Sequence, residues 1–303
     1  MVPQMPVDGG PVPAATVVVL RDSPAGPEVF MVRRHDSHAA FGGAHVFPGG
    51  RVDPADRDTA DAGWCDGLDA AVQQLPGLTL AEAIAYHVAA ARELFEEAGV
   101  LLARDESGRF VSLSGPDDRA RFKDHRLAVH AGRRPLRDVI ESEGLRLTLG
   151  ALLVYAHWVT PPIAPQAWTG SGRPGPAEGR RFDTRFFVAR VPPDQTPAHD
   201  EVESTHGAWI AAADALRSAD RREIILPPPT WTTLREIERF RSVDEVLESA
   251  RHRLIQAREP QVVQRDGARV LIVPGDLQDT TFVWADGCWR PAAAEPGRRS
   301  WEA

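Results

Sequence analysis

The sequence predicts an α+β protein, an α/β/α sandwich around a mixed β-sheet. Three observations carry that expectation. Apolar runs of strand length, among them "ATVVVL", "EVFMVRR", "LGALLVYAHWV" and "RFDTRFFVARV", are spread from residue 15 to residue 210. One long helical period stands among them, ending at Gly99. The two kinds of segment do not alternate strictly, as a doubly wound parallel sheet would require.

Taken in order, "ATVVVL" (15–20) and "EVFMVRR" (28–34) flank the turn-rich "RDSPAGP" and read as a β-hairpin. A short third strand is expected at "AHVFP", before Gly49 and Gly50. Residues 51 to 78 show little periodicity and are expected as a long surface excursion. The best helix follows in "TLAEAIAYHVAAARELFEEAG": Thr79 can cap it, Glu82 completes a capping box, and Gly99 stops it. Its apolar face runs through Leu80, Ile84, Val88 and Ala91, extended by Leu94 and Phe95. Helices are expected at 117–131 and 135–143, then a buried strand ended by Pro161 and Pro162, a Pro/Gly-rich loop, and strands at 181–191 and 206–210. Beyond these lie a short helix in "AAADALRSAD", one long or two short helices in "TWTTLREIERFRSVDEVLESARHRL", and a terminal β-like piece around "ARVLIVPGD" and "TTFVW".

Bulk properties exclude several classes. Hydrophobic content of 43% and charged content of 26% are those of an ordinary globular protein, neither disordered nor fibrous. A formal net charge of −8 argues against nucleic acid or an anionic membrane as the main partner. No apolar run approaches the roughly 18 to 20 residues that span a bilayer. Cys65 and Cys288 are far apart in sequence, so a disulfide framework is not expected, and a reducing, cytoplasmic setting is. The organisation expected is one elaborated domain over 1–303: a core of about 14–211, an insert of about 51–78, and a C-terminal, largely helical extension of about 212–303.

The stretch "RELFEEAGV", Arg92 to Val100, breaks a physical preference. The C-terminal end of a helix carries partial negative charge and favours cations, yet Glu93, Glu96 and Glu97 crowd there. At about 100° per residue the three carboxylates share one helix face, where like charges repel. A cation offsets them, and oxygen-only ligands suit Mg²⁺ or Mn²⁺, which bind phosphate oxygens alongside carboxylates.

These residues resemble the second half of the Nudix box, REUxEExGU with U aliphatic, at every specified position from Arg92 to Val100. The first half, a glycine with a glutamate six later, is represented by Gly50 and Asp56. An uninterrupted box would place its arginine at position 64, so Arg92 comes 28 residues late. With "GGAHVFPGG" before the insert, "RFDTRFFVA" after it and "VPGD" near the C-terminus, the chain resembles the long-insert Nudix subgroup that includes peroxisomal coenzyme A diphosphatases.

The resemblance implies a Nudix fold and metal-dependent hydrolysis of a nucleoside diphosphate linked to another moiety. Glu93, Glu96 and Glu97 would be metal ligands, Arg92 would orient a carboxylate, and Gly50 would let backbone approach the helix. Asp53, Asp56 and Glu82 all remain candidates for the upstream acid. In this family a loop carboxylate often acts as base, which points to Glu201 and Glu203 in "HDEVEST". Arg33, Arg34 and Arg51 are candidates for clamping phosphate.

Coenzyme A is the leading substrate, because related diphosphatases carry LLTxRSxxxRxxxGxxxFPGG and this chain has "FMVRRHDSHAAFGGAHVFPGG". Gly43, Phe47 and the PGG agree; Ala39 replaces the second arginine and His35 the small residue. ADP-ribose, NADH and dinucleoside polyphosphates stay open. The alternative is a Nudix-fold ligand-binding or regulatory module without turnover. Trp158 and Trp209 are expected in the core, Trp168 and Trp231 are further candidates for stacking on a base, and His45, His157 and His206 are expected to be structural. Asp183 is expected to pin a neighbouring loop. The helices from 230 to 254 offer a lid or a contact surface for a second copy of the chain.

Overall fold

The first apolar run folds into a strand longer than its hydrophobic pattern marks. β1 (Val12–Ser23) turns through two residues into β2 (Gly26–Arg34), and Gly26 stands at φ 105°, where a side chain would be strained. This computed structural model describes residues 10–36, 42–57, 62–161, 181–200, 204–275 and 279–292. β3 (His45–Val46) pairs with β2, and β4 (Gly49–Arg51) pairs with the first half of β1, Ala15 opposite Gly50 and Thr16 opposite Gly49. This split carries the Gly49–Gly50 pair onto the central strand.

Residues 51–78 depart from the expected structureless excursion. They form 3-10 turns at Pro54–Arg57 and Ala62–Trp64, strand β5 (Cys65–Asp66) and helix α1 (Leu68–Gln73). Trp64, Cys65, Ala71 and Leu75 are buried in the same core as the long helix. Short apolar pairs broken by Gly and Asp have no detectable period, and only burial against other elements fixes them.

The long helix α2 spans Leu80–Ala98 with both parts of its capping box made, and Gly99 closes it at φ 67°, its N–H donating to the Phe95 carbonyl at 3.0 Å. Ile84, Val88, Ala91, Leu94 and Phe95 are buried as expected, whereas Leu80 is 57% exposed, because the first turn lies at the surface. From Ala83 to Ala98 the helix is buried almost all round, Glu96 and Glu97 included.

β6 (Ala103–Arg104), α3 (Pro116–His130), α4 (Leu136–Ser142) and β7 (Arg146–Thr148) follow, with β5, β7 and β6 in a small sheet. β8 (Leu153–Val159), β9 (Phe182–Arg190) and β10 (Ser204–Ala211) complete most of the main sheet. Then come α5 (Ala212–Asp220), α6 (Pro228–Ile237) and α7 (Val243–His252), the last capped by Ser242, so the ambiguous helical stretch is two helices. The Pro/Gly-rich loop expected near 161–180 lies almost wholly outside the described residues, as does Trp168.

Strand β11 (Ala257–Arg258) joins the main sheet, whose order is β10-β2-β1-β9-β8-β11. The β1/β9 and β8/β11 pairs are parallel and the rest antiparallel, so the sheet is mixed. The chain then forms an antiparallel sheet of β12 (Gln261–Arg265), β13 (Ala268–Val273), β14 (Thr280–Ala285) and β15 (Cys288–Pro291).

Alternation along the strands divides the core in two. Val17, Val19, Phe30, Val32 and Phe187 face α2, while Val18, Leu20, Val29, Met31 and Phe186 face α5–α7 and the C-terminal sheet. Trp158 is buried in that second core, Trp209 packs edge-on to Phe30 at 5.6 Å, and Trp231 on Phe282 at 5.4 Å. The result is the layered α/β/α arrangement the sequence predicts.

Candidate active site

The last two turns of α2 lie against β4, and everything chemical follows from that contact. Arg92 is the hub, only 8% exposed. Its Nε and Nη2 donate to the two oxygens of Asp56, each at 2.9 Å. Nη1 donates to Glu93 Oε1 at 2.9 Å and Glu96 Oε1 at 3.0 Å, and Nη2 also reaches the Arg51 carbonyl at 2.8 Å. A planar guanidinium with five donors can serve all of these groups at once; an ammonium cannot. Surface ion pairs contribute little, but this one is buried, and each of its members depends on the others.

The glycines of β4 make the approach possible. The Gly49 N–H donates to Glu97 Oε2 at 3.0 Å. A Cβ on Gly50 would lie 2.7 Å from Glu93 Oε2, so the carboxylate occupies the space that a side chain would need. Gly50→Ala is therefore expected to displace Glu93 and cost about 1–3 kcal/mol. A lower melting temperature together with reduced turnover checks this, and an unchanged melt would refute the close fit.

Burial and like charge act on the same carboxylates. Glu93 is pushed up to about 7, burial being the largest cause and Arg92 the main opposing influence. Burial likewise raises Glu96, against the pull of Arg92. Arg92 itself is driven above its ordinary value by the hydrogen bonds and charges of Asp56, Glu93 and Glu96, in spite of its burial.

Asp56, Glu93 and Glu96 thus face a single guanidinium, with Glu97 beside them on the Gly49 N–H, leaving negative charge in excess. Hard oxygen donors with surplus negative charge fit Mg²⁺ or Mn²⁺. Among the described residues no group of three or more His, Cys, Asp or Glu converges as a ligand set would. One oxygen of each glutamate is engaged instead, Glu93 Oε1 and Glu96 Oε1 by Arg92 and Glu97 Oε2 by the Gly49 N–H.

The three upstream candidates separate cleanly. Asp56 is 3% exposed and grips Arg92 with both oxygens, while its Oδ2 also accepts the Asp53 N–H at 2.8 Å. Asp53 stays half exposed, 3.8 Å from Arg92 Nη2. Glu82 is engaged at the far end of the helix, accepting from the Thr79 N–H at 2.9 Å and from its hydroxyl at 2.7 Å. Arg51 contributes its carbonyl to the hub, with its side chain exposed. Arg33 is engaged elsewhere, with Asp36 at 2.7 Å and Thr205 at 3.2 Å, and Arg34 ends β2 opposite Ser204. Glu201 and Glu203 lie outside the described residues.

His45 and His206 flank Arg33 across three adjacent strands, and burial holds His45 down to about 4. Asp183 accepts from His157 at 2.8 Å and from Arg185 at 2.7 Å, joining the ends of β8 and β9 around the undescribed loop. The tie between Gly49 and Glu97 escaped the sequence reading because a backbone donor 48 residues away leaves no pattern.

Comparison with known proteins identifies the family and the fold. A family model described as the NUDT19 Nudix domain matches residues 68–239, more than half of the chain. The chain is 28% identical to the acyl-coenzyme A diphosphatase NUDT19 of Homo sapiens, over 87% of this chain and 76% of that protein. It is 26% identical to the protein of the same name from Gallus gallus, over 84% and 74%. The crystal structure of a NUDIX hydrolase from Alicyclobacillus acidocaldarius superposes with a TM-score of 0.62 at 25% identity, covering 80% of this chain and 97% of that one.

Proposed function

The chain belongs to the NUDT19 Nudix domain family of Nudix hydrolases, and from that premise we propose that it cleaves the pyrophosphate bond of a nucleoside diphosphate joined to another moiety, with coenzyme A or an acyl derivative as the leading substrate. The observation that carries the proposal is the buried acidic cluster of Glu93, Glu96 and Glu97, organised by Arg92 and Asp56 against Gly49 and Gly50. Coenzyme A itself rests on the names of the relatives and on the Gly43, Phe47 and PGG residues of the motif.

In this reading Glu93, Glu96 and Glu97 hold Mg²⁺ or Mn²⁺, which when bound neutralises diphosphate charge and activates water. Arg92 holds Glu93 Oε1 and Glu96 Oε1 and so orients these two carboxylates. The absent side chain of Gly50 lets the backbone sit directly over Glu93 at the helix end, while that of Gly49 leaves room for Ala15 and Thr16 of β1. Glu201 or Glu203 accepts the proton of the attacking water. Arg33, Arg34 and Arg51 are the residues proposed to bind phosphate.

No described helix is long and apolar enough to cross a membrane. Cys65 and Cys288 are free thiols, in keeping with a cytoplasmic setting, and a second copy of the chain is the macromolecular partner proposed.

The test is release of a mononucleotide from a panel of coenzyme A, acyl-coenzyme A, ADP-ribose, NADH and dinucleoside polyphosphates with Mg²⁺ or Mn²⁺. Turnover of at least one compound is expected, abolished by a chelator and restored by added Mn²⁺. Tight binding of one compound without hydrolysis of any would overturn the enzyme reading in favour of a silent ligand-binding module.

A further inference from the structure

The last turn of α2 carries no basic residue although its carbonyl end favours one. The cation comes from another element. Arg126, on α3, donates Nε–H to the Glu96 carbonyl at 2.8 Å and Nη2–H to the Ala198 carbonyl at 2.9 Å. The Ala198 N–H in turn donates to the Ala98 carbonyl at 2.9 Å. One guanidinium therefore joins the end of the acidic helix to segment 195–200, which a buried Gln195 also ties to Leu101, accepting its N–H and donating to its carbonyl, each at 2.9 Å.

Gly99 serves this arrangement twice. Its left-handed conformation closes the helix, and its missing side chain leaves room for the guanidinium: a Cβ there would lie 3.0 Å from Arg126 Nη1 and 3.5 Å from Cζ. One turn further along α3, His130 brings Nδ1 to 3.7 Å from Glu96 Oε2. The same helix face thus approaches both the backbone and the carboxylate of Glu96.

We propose that Arg126 is a positioning residue for the acidic site, holding the C-terminal turn of α2 in register with segment 195–200. The proposal rests on the reading of Glu96 and Glu97 as ligands of the divalent ion. Arg126 acts through the backbone that carries Glu96 and through segment 195–200. An arginine fork reaches two carbonyls on different segments, whereas a lysine ammonium on a flexible stem reaches one well. The role therefore depends on shape as well as charge.

Arg126→Ala and Arg126→Lys in the full-length chain test it. Arg126→Ala is expected to lower kcat about 10- to 100-fold while leaving KM within about twofold, because misplacement of ligands acts on the transition state more than on binding. Arg126→Lys is expected to recover the melting temperature but little of kcat. Hydrogen exchange supplies a readout that needs no turnover: the Ala198 and Gly99 amides should lose protection in Arg126→Ala while the β1–β9 ladder keeps its own. A kcat within twofold of wild type in Arg126→Ala overturns the proposal, and so does full recovery of kcat by lysine. If the wild-type chain hydrolyses nothing in the panel, the functional reading fails, and unchanged exchange at Ala198 would then separately overturn the clamp.

Discussion

Replacing Glu97 by Gln lowers kcat by about 10²- to 10³-fold, the scale on which loss of one charged stabilising group acts in a preorganised site. The fold survives, because the amide keeps an oxygen that can accept the Gly49 N–H now held by Glu97 Oε2 at 3.0 Å. Glu96→Gln behaves similarly in activity. It also weakens the 3.0 Å bond from Arg92 Nη1 by removing the acceptor's charge. Relief of repulsion among neighbouring carboxylates partly offsets that loss, so both variants are expected to melt close to wild type. Turnover against substrate concentration at saturating Mg²⁺, beside a thermal melt, decides the matter. Near-normal kcat in both variants would be incompatible with a role for these carboxylates in holding the ion.

Arg92→Ala is expected to do more damage to the fold than any change at the glutamates. It strands Asp56, whose side chain is 2% exposed, together with Glu93 and Glu96, and breaking a buried ion pair from one side costs about 3–5 kcal/mol. Activity falls with it, because the carboxylates lose the group that arranges them. Arg92→Lys separates charge from geometry. An ammonium restores the positive charge but cannot grip both oxygens of Asp56 while also serving Glu93, Glu96 and the Arg51 carbonyl. Chemical denaturation and kcat should show lysine recovering part of the stability and little of the rate. A lysine variant with wild-type kcat would mean that the fork is dispensable.

The two variants also separate the two kinds of carboxylate at the site. Asp56 is held by Arg92 from both oxygens and supports the hub, whereas Glu97 faces the Gly49 amide and makes none of the Arg92 hydrogen bonds described. Loss of Glu97 should therefore appear in catalysis first, and loss of Arg92 in stability as well.

Much of this was legible in the chain itself. Thr79, Glu82 and Gly99 announce both ends of α2 through local hydrogen bonding and backbone conformation, which depend on neighbours in sequence and little else. Alternating apolar residues set the hairpin and the strands facing the two cores, and the spacing of Glu93, Glu96 and Glu97 places them together on one helix face. Other features were invisible. The insert from 51 to 78 looked structureless because its buried residues, Trp64, Cys65, Ala71 and Leu75, follow no period. Leu80 continued the apolar stripe but lies in an exposed first turn.

By itself the sequence determined the helix, its caps, the shared face of three glutamates and the layered class of the fold, since each of these is a matter of short-range spacing. Only the tertiary structure decided that Asp56, and not Asp53 or Glu82, grips Arg92, that Gly50 yields its space to Glu93, and that Arg126 reaches the helix end from 30 residues away. Those pairings join residues distant in the chain through the packing of whole elements, and a hydrogen bond across such a distance leaves no periodicity for the sequence to display.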